Sequence, residues 1–279
     1  MSSPTASVQL SGPKSDAVRE FAALFASWPV GRRAISIGGS TGKGNTDAHS
    51  DLDFRLWQEA EVLWPHQDSE RWRPYFELTE RWKQRGVVVD GVWPRQISQV
   101  DAALRQWVAG AGKTDDLEWT VWGYHLPADV FNQFVIDDPD DVLGEFKRLL
   151  TPYPPALRAA LLSRHLGRLR YWRRDYHYAN KVRRRDAVFL ASLAGRLVHD
   201  LMQVLFAING VYYPGDGANL TFAERFAIKP QNLTARVTAV LYCGDAEAED
   251  VFSRQYDALV ALIDDVIALA ENAITSTPQ

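Results

Sequence analysis

The stretch of sequence that decides the fold is Gly38-Gly39-Ser40-Thr41-Gly42-Lys43-Gly44-Asn45-Thr46-Asp47-Ala48-His49-Ser50-Asp51-Leu52-Asp53-Phe54. It joins a glycine-rich turn to a run in which acidic and apolar residues alternate. Because side chains alternate along a strand, Asp51 and Asp53 project to the same side and lie close together. Two like charges so placed repel each other unless a cation lies between them or one is protonated. Oxygen ligands of this kind suit Mg²⁺ or Mn²⁺, so the pair predicts a divalent-metal site.

The residues before this pair predict a phosphate-binding turn. Ile35-Ser36-Ile37 is typical of a short strand, and Gly38 and Gly39 after it leave backbone amides exposed with no Cβ in the way. Those amides and the Ser40 hydroxyl can hold a phosphate. Lys43 either reaches the same phosphate or lies on a solvated loop. An Asp-x-Asp pair alone usually marks a solvated strand end, but the turn at this spacing favours a metal and phosphate site.

A third acidic residue lies in the next apolar run, Val87-Val88-Val89-Asp90-Gly91-Val92-Trp93. A regular strand places Asp90 on the same face as Val88 and Val92, and an acid within an apolar strand needs a partner such as a metal ion. The other interpretation is a turn between two short strands, since Asp-Gly is also a hairpin signal. Glu118 is the reserve candidate for the third carboxylate.

The stretch resembles the signature of the DNA polymerase beta-like nucleotidyltransferase superfamily: Gly39-Ser40, nine intervening residues, then Ser50-Asp51-Leu52-Asp53-Phe54. The resemblance implies that Gly39 and Ser40 grip a nucleoside triphosphate and that Asp51 and Asp53 hold two metal ions. It also implies a third carboxylate on a neighbouring strand, for which Asp90 is the candidate.

The resemblance further implies an activity. The expected reaction is in-line attack of a hydroxyl on the α-phosphorus of a nucleoside triphosphate, most simply ATP, with release of pyrophosphate. A metal ion bound by Asp51, Asp53 and Asp90 would lower the pKa of the acceptor hydroxyl, and a second ion on Asp51 and Asp53 would steady the triphosphate. If Asp90 is not a ligand, it could act as the general base.

The acceptor that the resemblance implies is a small molecule, with an aminoglycoside-like or lincosamide-like antibiotic as the first expectation and antibiotic resistance as the role. The acidic residues that could attract a polycationic acceptor are Asp115, Asp116, Glu118, Asp137 and Asp138. Two alternatives stay open. One is a toxin-like nucleotidyltransferase that modifies a protein or a tRNA, and the other is a nucleotide-binding module that has lost turnover.

A proline-rich segment, Thr151-Pro152-Tyr153-Pro154-Pro155, divides the chain, because it cannot continue a helix and the sequence differs in character on either side. We expect a nucleotidyltransferase domain over residues 1–150 and an α-helical domain over 151–279. The expected fold class is α+β: a small mixed β-sheet with flanking helices, followed by a helical bundle. This order resembles antibiotic nucleotidyltransferases, in which the substrate lies between the two parts.

Apolar periodicity predicts the individual elements. In the first half it predicts helices over 15–28, 68–84, 97–108 and 140–150, and strands around Ile37, Asp53 and Asp90 and over 132–136. Ser15 is the expected cap of the first helix. In the second half it predicts helices over 156–175, 181–209 and 246–273, a loop over 210–220 and a shorter element over 231–242.

Basic and aromatic residues alternate between Arg164 and Arg185. Such a run can bind nucleic acid by ion pairing and stacking, or it can be a solvated helical face, which we expect for most of its residues. Lys181 and Arg185 are the two expected to turn toward the metal site, where they would offset the charge of the triphosphate.

Two further patterns lie in the second half. The pattern Asn209-x-x-Tyr-x-Pro is similar to a loop of related nucleotidyltransferases in which a lysine follows, and Gly217 stands where that lysine is expected. The structural alternative is a helix end at Gly210 followed by a proline-fixed turn. His199 and Asp200 either face the substrate or form a buried pair.

Composition describes a chain with a substantial core, since 46% of its 279 residues are hydrophobic. The net charge of -4 argues against bulk attachment to nucleic acid, without excluding a local basic patch. The single cysteine, Cys243, excludes an internal disulfide and fits a reducing cytoplasm. There is no signal-peptide pattern, and no apolar run reaches the roughly 18 residues that span a bilayer. We therefore expect a cytoplasmic monomer or homodimer with no membrane partner.

Overall fold

The computed structural model describes residues 10–28, 31–47, 49–61, 63–113, 126–215, 217, 219–242, 244 and 248–276. The chain forms two compact units. The first comprises Met1–Trp107 and Leu126–Pro152, and the second comprises Val108–His125 and Tyr153–Gln279. The main division thus falls inside the proline-rich segment, between Pro152 and Tyr153.

The first unit is a small sheet with helices packed against it. Its elements in chain order are α1 (Gly12–Phe25), β1 (Arg33–Ile37), α2 (Gly39–Lys43), β2 (Leu52–Gln58), α3 (Ser69–Lys83), β3 (Val89–Gln96), α4 (Ile97–Val108), α5 (Leu126–Phe131), β4 (Phe134–Asp137) and α6 (Val142–Leu149). The strands lie in the order β3-β2-β1-β4. β1 pairs antiparallel with β2 and β4, whereas β2 and β3 are parallel. The predicted α+β class, with a small mixed sheet and flanking helices, is confirmed.

One face of the sheet is apolar and supports the core. Phe54 of β2 packs against Phe21 and Phe25 of α1, with ring centroids 5.1 and 5.3 Å apart. Tyr75 of α3 lies 5.9 Å from Phe21, centroid to centroid. The same cluster also contains Ala17, Val18, Ile35, Ile37, Leu52, Leu56, Trp72, Leu78, Trp82 and Val92. Burying a large apolar side chain contributes about 1.5–3 kcal/mol, so this layer holds β1 and β2 firmly beneath the turn that joins them.

The opposite face of the sheet carries polar side chains, because every second residue of a strand points away from the core. This face carries Ser36 on β1 and, in succession along β2, Asp53, Arg55 and Trp57. Ser36 and Trp57 are fully buried there. Phe146 of α6 covers Trp57, with ring centroids 6.0 Å apart. Asp53, at the start of β2, is only partly covered, and the candidate site lies at this end of the face.

The helix starts follow local capping chemistry. α1 begins at Gly12 and not after Ser15, so the prediction that Ser15 caps it is wrong; Pro13 occupies the first turn, where a missing amide proton costs nothing. α3 begins after Asp68, whose side chain accepts a hydrogen bond from the Arg71 amide at 3.1 Å.

The described elements of the second unit are helical. They are α7 (Pro155–Trp172), α8 (Tyr176–Arg183), α9 (Ala187–Ile208), α10 (Asn219–Ala223), α11 (Leu233–Leu241) and α12 (Val251–Ser276). α9 packs against α7, α8, α11 and α12. Among the described helices, α9 is the one that could cross a membrane by length and composition, with 22 residues and a mean hydropathy of 1.3. Most of that apolar window is buried within the protein, as in the core helix of a globular unit.

The prediction of one helix over 181–209 is wrong, because the chain forms two helices there. α8 ends at Arg183, Arg185 has a φ of 53°, and α9 begins at Ala187. Asp186 caps α9 by accepting a hydrogen bond from the Phe189 amide at 3.4 Å. A right-handed helix cannot continue through a residue with positive φ, so Arg185 and Asp186 together fix the break.

Candidate functional site

The hairpin of β1 and β2 brings the glycine turn against the aspartate pair. The two strands pair as far as Ile37 opposite Phe54. The Gly38 amide then donates a hydrogen bond to the Asp53 carbonyl at 2.9 Å. The chain turns into α2 at Gly39 and returns through residues 44–51 to β2. The turn and Asp53 are therefore immediate neighbours in the sheet.

Gly39 lies directly under the Asp53 carboxylate. Its φ is 54°, which is in the left-handed region. A Cβ built on Gly39 would lie 1.9 Å from Asp53 Oδ2, far inside contact distance. Only glycine satisfies both conditions, the backbone conformation and the close approach of the carboxylate. The turn therefore places a carboxylate oxygen of Asp53 directly against the Gly39 backbone.

Ser40 follows at the start of α2. Its hydroxyl oxygen is buried and has no hydrogen-bond partner within the described part of the chain. A buried hydroxyl without a partner costs free energy, so a ligand that accepts its proton would stabilise the site. The first amides of a helix also lack acceptors within the helix. Lys43 ends α2, half-buried, and has an interaction partner within the protein.

The described residues just before Asp51 form hydrogen bonds with each other and with α1. Asp47 Oδ1 accepts hydrogen bonds from the His49 amide at 2.8 Å and from the Ser50 hydroxyl at 2.9 Å. These bonds hold the pKa of Asp47 below its usual range, and the bond from Ser50 has the largest effect. Lys14 of α1 donates to the Ser50 carbonyl at 2.6 Å. Sequence reasoning missed Lys14, because nothing local links it to a loop more than thirty residues away.

Asp90 lies at a bulge in β3. Leu52 pairs with Val89 but Asp53 pairs with Gly91, so Asp90 is an extra residue between two regular pairs. The prediction that Asp90 shares a face with Val92 is therefore wrong: Val92 is buried in the core and Asp90 is exposed. A bulge re-aims a side chain in this way and is common next to functional sites.

The three candidate carboxylates lie near the starts of two neighbouring strands, β2 and β3, but are not gathered into one cluster. Among the described residues, no group of three His, Cys, Asp or Glu side chains stands close enough together to hold a metal ion. Asp90 instead lies within electrostatic range of Tyr75, whose pKa is raised by burial and further by the Asp90 charge. To meet on one ion, Asp51, Asp53 and Asp90 would have to turn toward each other.

A buried polar network lies under the glycine turn, on the same face as Asp53. Ser36 Oγ donates to Gln133 Oε1 at 2.8 Å and accepts from Trp57 Nε1 at 2.8 Å. Gln133 Nε2 donates to Asp129 Oδ1 at 2.9 Å. Arg55 Nη2 lies 3.6 Å from the same oxygen. The network links β1 and β2 to α5, so it fixes the base on which the turn rests.

Two further contacts join this network to the rest of the site. Arg95 of β3 lies 3.4 Å from Asp129 Oδ2, which ties the strand of Asp90 to the same carboxylate. A Cβ on Gly38 would lie 3.1 Å from Gln133 Nε2 and 3.3 Å from Arg55 Nη2. Sequence reasoning missed these residues. The available signal was Arg55, a charge inside the apolar run of β2 that requires a buried partner.

Lys181 and Arg185, predicted to meet the triphosphate, have partners within the second unit. Lys181 Nζ lies 2.7 Å from Asp186 Oδ2 and 5.3 Å from the centroid of the Phe189 ring. Arg185 Nη1 donates to the carbonyls of residues 248 and 249 at 3.1 and 2.7 Å. Lys181 therefore stabilises the junction of α8 and α9, and Arg185 ties that junction to the segment before α12.

The second unit holds a buried ionic cluster between α7 and α9. His165 Nδ1 lies 2.7 Å from Asp200 Oδ1, and Arg168 Nε donates to both carboxylate oxygens at 3.0 and 2.9 Å. Burial alone would raise the pKa of Asp200, but these hydrogen bonds outweigh it and lower that pKa. Burial lowers the pKa of His165 and brings that of His199 to about 4. Of the two predicted alternatives, facing the substrate or forming a buried pair, the second describes Asp200, whose partners are His165 and Arg168, whereas His199 is half-buried.

The residues of the Asn-x-x-Tyr-x-Pro pattern have structural contacts. Asn209 Nδ2 donates to the carbonyls of Leu205 and Ile228, both at 2.8 Å, and its Oδ1 accepts from the Ile228 amide. Gly210 follows with a φ of 64°, which ends α9. Gly217, at the position expected for lysine, has open space around it. The pattern therefore closes a loop onto the end of α9.

The acidic residues expected to attract a cationic acceptor divide into two groups. Asp137 pairs with Arg33 at 3.0 Å, and Asp138 accepts hydrogen bonds from three amides at the start of α6. Both therefore have structural roles. The others, Asp115, Asp116 and the reserve ligand Glu118, lie outside the described residues, as does Cys243.

A family model described as a domain of unknown function (DUF4037) matches residues 125–217. That segment contains α5, β4 and the helices from α6 to α9, and so includes Asp129, Gln133 and the cluster around Asp200. It does not include the stretch from Gly38 to Phe54. No curated protein matches the chain.

Proposed function

We propose that this chain is a metal-dependent nucleotidyltransferase of the DNA polymerase beta-like superfamily. It would transfer a nucleoside monophosphate, most simply AMP from ATP, to a hydroxyl of a small molecule and release pyrophosphate. The observation that carries the proposal is the position of Asp53 against Gly39, beside the buried Ser40 hydroxyl without a partner. A metal-bound triphosphate requires this combination of carboxylate oxygen for the ion and backbone or hydroxyl donors for the phosphates.

Mg²⁺ or Mn²⁺ fits the donor set of the site, because Asp51, Asp53 and Asp90 offer only hard oxygen atoms. Phosphate oxygens and water would supply the remaining ligands. When bound, the ion lowers the pKa of the acceptor hydroxyl and offsets the charge of the leaving pyrophosphate.

The protein residues have distinct roles in this proposal. Gly39 and Ser40 bind and orient the phosphates. Lys14 holds the chain immediately before Asp51, the residue that precedes β2, which favours correct alignment of the reacting groups. Asp90, exposed at its bulge, either completes the set of metal ligands or accepts the proton of the attacking hydroxyl.

A small-molecule acceptor is preferred to tRNA because several basic residues of the second unit are already paired with acids. Arg170 pairs with Glu271 at 2.7 Å, and Arg173 pairs with Asp264 at 2.9 Å. Arg168 binds Asp200. Cations that are paired with acids offer little net attraction to a phosphate backbone. The proposal includes a cytoplasmic location, which the single cysteine, Cys243, favours.

The direct test is Mg²⁺-dependent release of pyrophosphate from each nucleoside triphosphate, with aminoglycosides, lincosamides and bulk tRNA as acceptors. We expect release with one class of small molecule. Asp53→Asn should lower it by more than about 100-fold, since even residues that only support metal ligands cost about 10–100-fold when changed. The matched control is Asp101→Asn, which removes the same charge from an exposed i,i+4 pair with Arg105 on α4.

The outcomes separate the proposal from its alternatives. Release that persists in Asp53→Asn, or a wild type that binds no triphosphate, would overturn the proposed chemistry. Release that depends on tRNA and weakens steeply with salt would favour the nucleic-acid acceptor. Binding of Mg²⁺-triphosphate without release for any acceptor, including protein substrates, would favour a nucleotide-binding module.

A further inference from the structure

Two tryptophans of the first unit, Trp64 and Trp93, form an exposed aromatic corner. Trp64 is 37% exposed and Trp93 is 41% exposed, although large aromatic side chains are usually well covered. Their ring centroids lie 6.4 Å apart with an interplanar angle of 77°, so one indole stands nearly upright on the other. Leu63, 39% exposed, adds an apolar side chain next to the corner in sequence.

The corner lies on the polar face of the sheet, beside the candidate site. Trp93 pairs with Arg55, and Gly91 pairs with Asp53, so Trp93 and Asp53 point to the same side. The Trp93 indole nitrogen lies 3.6 Å from the position of a Cβ on Gly91. The indole therefore leans along β3 toward the residue opposite Asp53. Because Gly91 has no side chain, the space between the indole and Asp53 is not filled from β3.

The backbone that carries Trp64 is held by hydrogen bonds, although its indole is exposed. The Trp64 amide donates to Gln67 Oε1 at 2.9 Å, and the Gln67 amide donates back to the Trp64 carbonyl at 2.8 Å. The Leu63 carbonyl accepts a hydrogen bond from the buried Trp72 indole at 3.0 Å. A preorganised aromatic surface loses little entropy when a ligand binds, which is typical of a recognition surface.

The order of the strands assigns the corner to the acceptor. In the proposed function, phosphates bind at the Gly39-Ser40 turn, which follows β1, while Asp53 stands on the central strand β2. In an in-line displacement the attacking oxygen and the leaving group lie on opposite sides of the phosphorus. With the pyrophosphate on the β1 side, the acceptor approaches from the β3 side, where Trp93 lies.

We propose that Trp64 and Trp93 bind the acceptor, and that the acceptor is a hydroxylated ring, such as a sugar or a cyclitol, recognised by its apolar face. This inference rests on the proposed function. A ring of this type has a C–H face that packs on indole and a hydroxyl left free to attack. Trp64, Trp93 and Leu63 carry no charge, so the corner offers apolar contact to the face of a ring and no ion pair.

The test measures ring binding and triphosphate binding separately. Saturation-transfer NMR with methyl glucoside and myo-inositol as probes, and spermidine as a non-cyclic cation, detects weak contact with the protein. Thermal stabilisation by Mg²⁺ with a non-hydrolysable ATP analogue reports the donor site. Trp64→Ala, Trp93→Ala and the conservative Trp93→Phe are compared with Phe76→Ala, which removes another exposed aromatic ring of this unit.

We expect ring binding to weaken about tenfold or more in Trp64→Ala and Trp93→Ala, and to recover in Trp93→Phe. Stabilisation by the ATP analogue should stay unchanged in these variants, and Phe76→Ala should resemble the wild type. The proposal is overturned if no ring compound shows saturation transfer, if spermidine alone binds, or if both alanine variants bind rings normally. Loss of ATP-analogue stabilisation in Trp93→Ala would assign the corner to the nucleobase and also overturn it. Ring binding without any triphosphate binding in the wild type would leave the ring site standing and refute the nucleotidyltransferase function.

Discussion

Gly39 is the residue of the candidate site that is expected to tolerate substitution least. A residue with a Cβ pays about 1–2 kcal/mol for the left-handed conformation that Gly39 adopts, with a φ of 54°. Its methyl group would also displace the Asp53 carboxylate, which lies 1.9 Å from the Cβ position. We expect Gly39→Ala to lower nucleotidyl transfer about 100-fold, because a displacement of about 1 Å misaligns the reacting groups. Pyrophosphate release measures this loss.

The control for this prediction is Gly86→Ala. Gly86 also has a positive φ, 79°, but nothing lies within 4 Å of a Cβ built there. Gly86→Ala should therefore lose only the stability that the backbone conformation costs, about 1–2 kcal/mol, and keep its activity, whereas Gly39→Ala loses more stability and the activity as well. Equal activity in the two would show that the contact between Gly39 and Asp53 is not needed.

At the residue scale, the sequence predicts contacts between residues of neighbouring paired strands, but not contacts that depend on strand register or on distant segments. The proximity of Gly39 and Asp53 follows from two strands that pair across a short connection. The orientation of Asp90 could not be derived, because a bulge is decided by the register of β3 on β2 and not by β3 alone. The contact of Lys14 with Ser50 joins residues with no shared pattern.

At the scale of elements, α5 holds the sheet through Asp129. This side chain is buried and interacts with Gln133, Arg55 and Arg95. We expect Asp129→Ala to destabilise the protein by about 3 kcal/mol, because removing one partner leaves buried positive charge without compensation. Urea unfolding followed by tryptophan fluorescence measures this change, since Trp57 belongs to the same network.

Asp101→Ala is the comparison for Asp129→Ala. It removes an exposed carboxylate of the same unit that pairs with Arg105 across one helical turn. Such a pair contributes only about 0.3–0.5 kcal/mol, so the variant should unfold nearly as the wild type does. If Asp129→Ala also unfolds like the wild type, the network does not support the sheet.

The elements themselves were predictable to different degrees. The long amphipathic helices and the β1–β2 hairpin follow from periodicity and turn residues. One helix is predicted over 181–209 because no proline or glycine marks the break at Arg185 and Asp186. The break is set by the positive φ of Arg185 and by the cap at Asp186, and apolar periodicity contains no information about either. Asp129 was not recognised because its partners come from β2, β3 and the segment after α5.

At the scale of the whole molecule, the described histidines with a shifted pKa lie in one of the two units. Among the described histidines, the two with lowered pKa, His165 and His199, both lie in the second unit beside Asp200. His199 packs edge-on between His165 and Tyr213, with ring centroids 6.0 and 5.7 Å away. Mild acid should therefore act first on the second unit, while the candidate site lies in the first.

The sign of this pH effect follows from proton binding in the two states. An unfolded histidine binds a proton as the pH falls below its ordinary pKa of 6.5, whereas folded His199 stays neutral until about pH 4. Between these values the unfolded state binds more protons, so the free energy of unfolding decreases as the pH falls. His199 alone should contribute up to about 2 kcal/mol of this loss between about pH 7 and about pH 5.

Urea unfolding followed by far-ultraviolet circular dichroism at these two pH values measures the loss. His199→Gln cannot be protonated in this range, so its free energy of unfolding should fall less steeply with pH than that of the wild type, whatever its absolute stability. His177→Gln replaces an exposed histidine of the same unit and should keep the wild-type slope. If His199→Gln keeps that slope as well, His199 does not set the acid sensitivity. Asp200 cannot account for a loss in this window, because its lowered pKa places its own destabilising protonation at still lower pH.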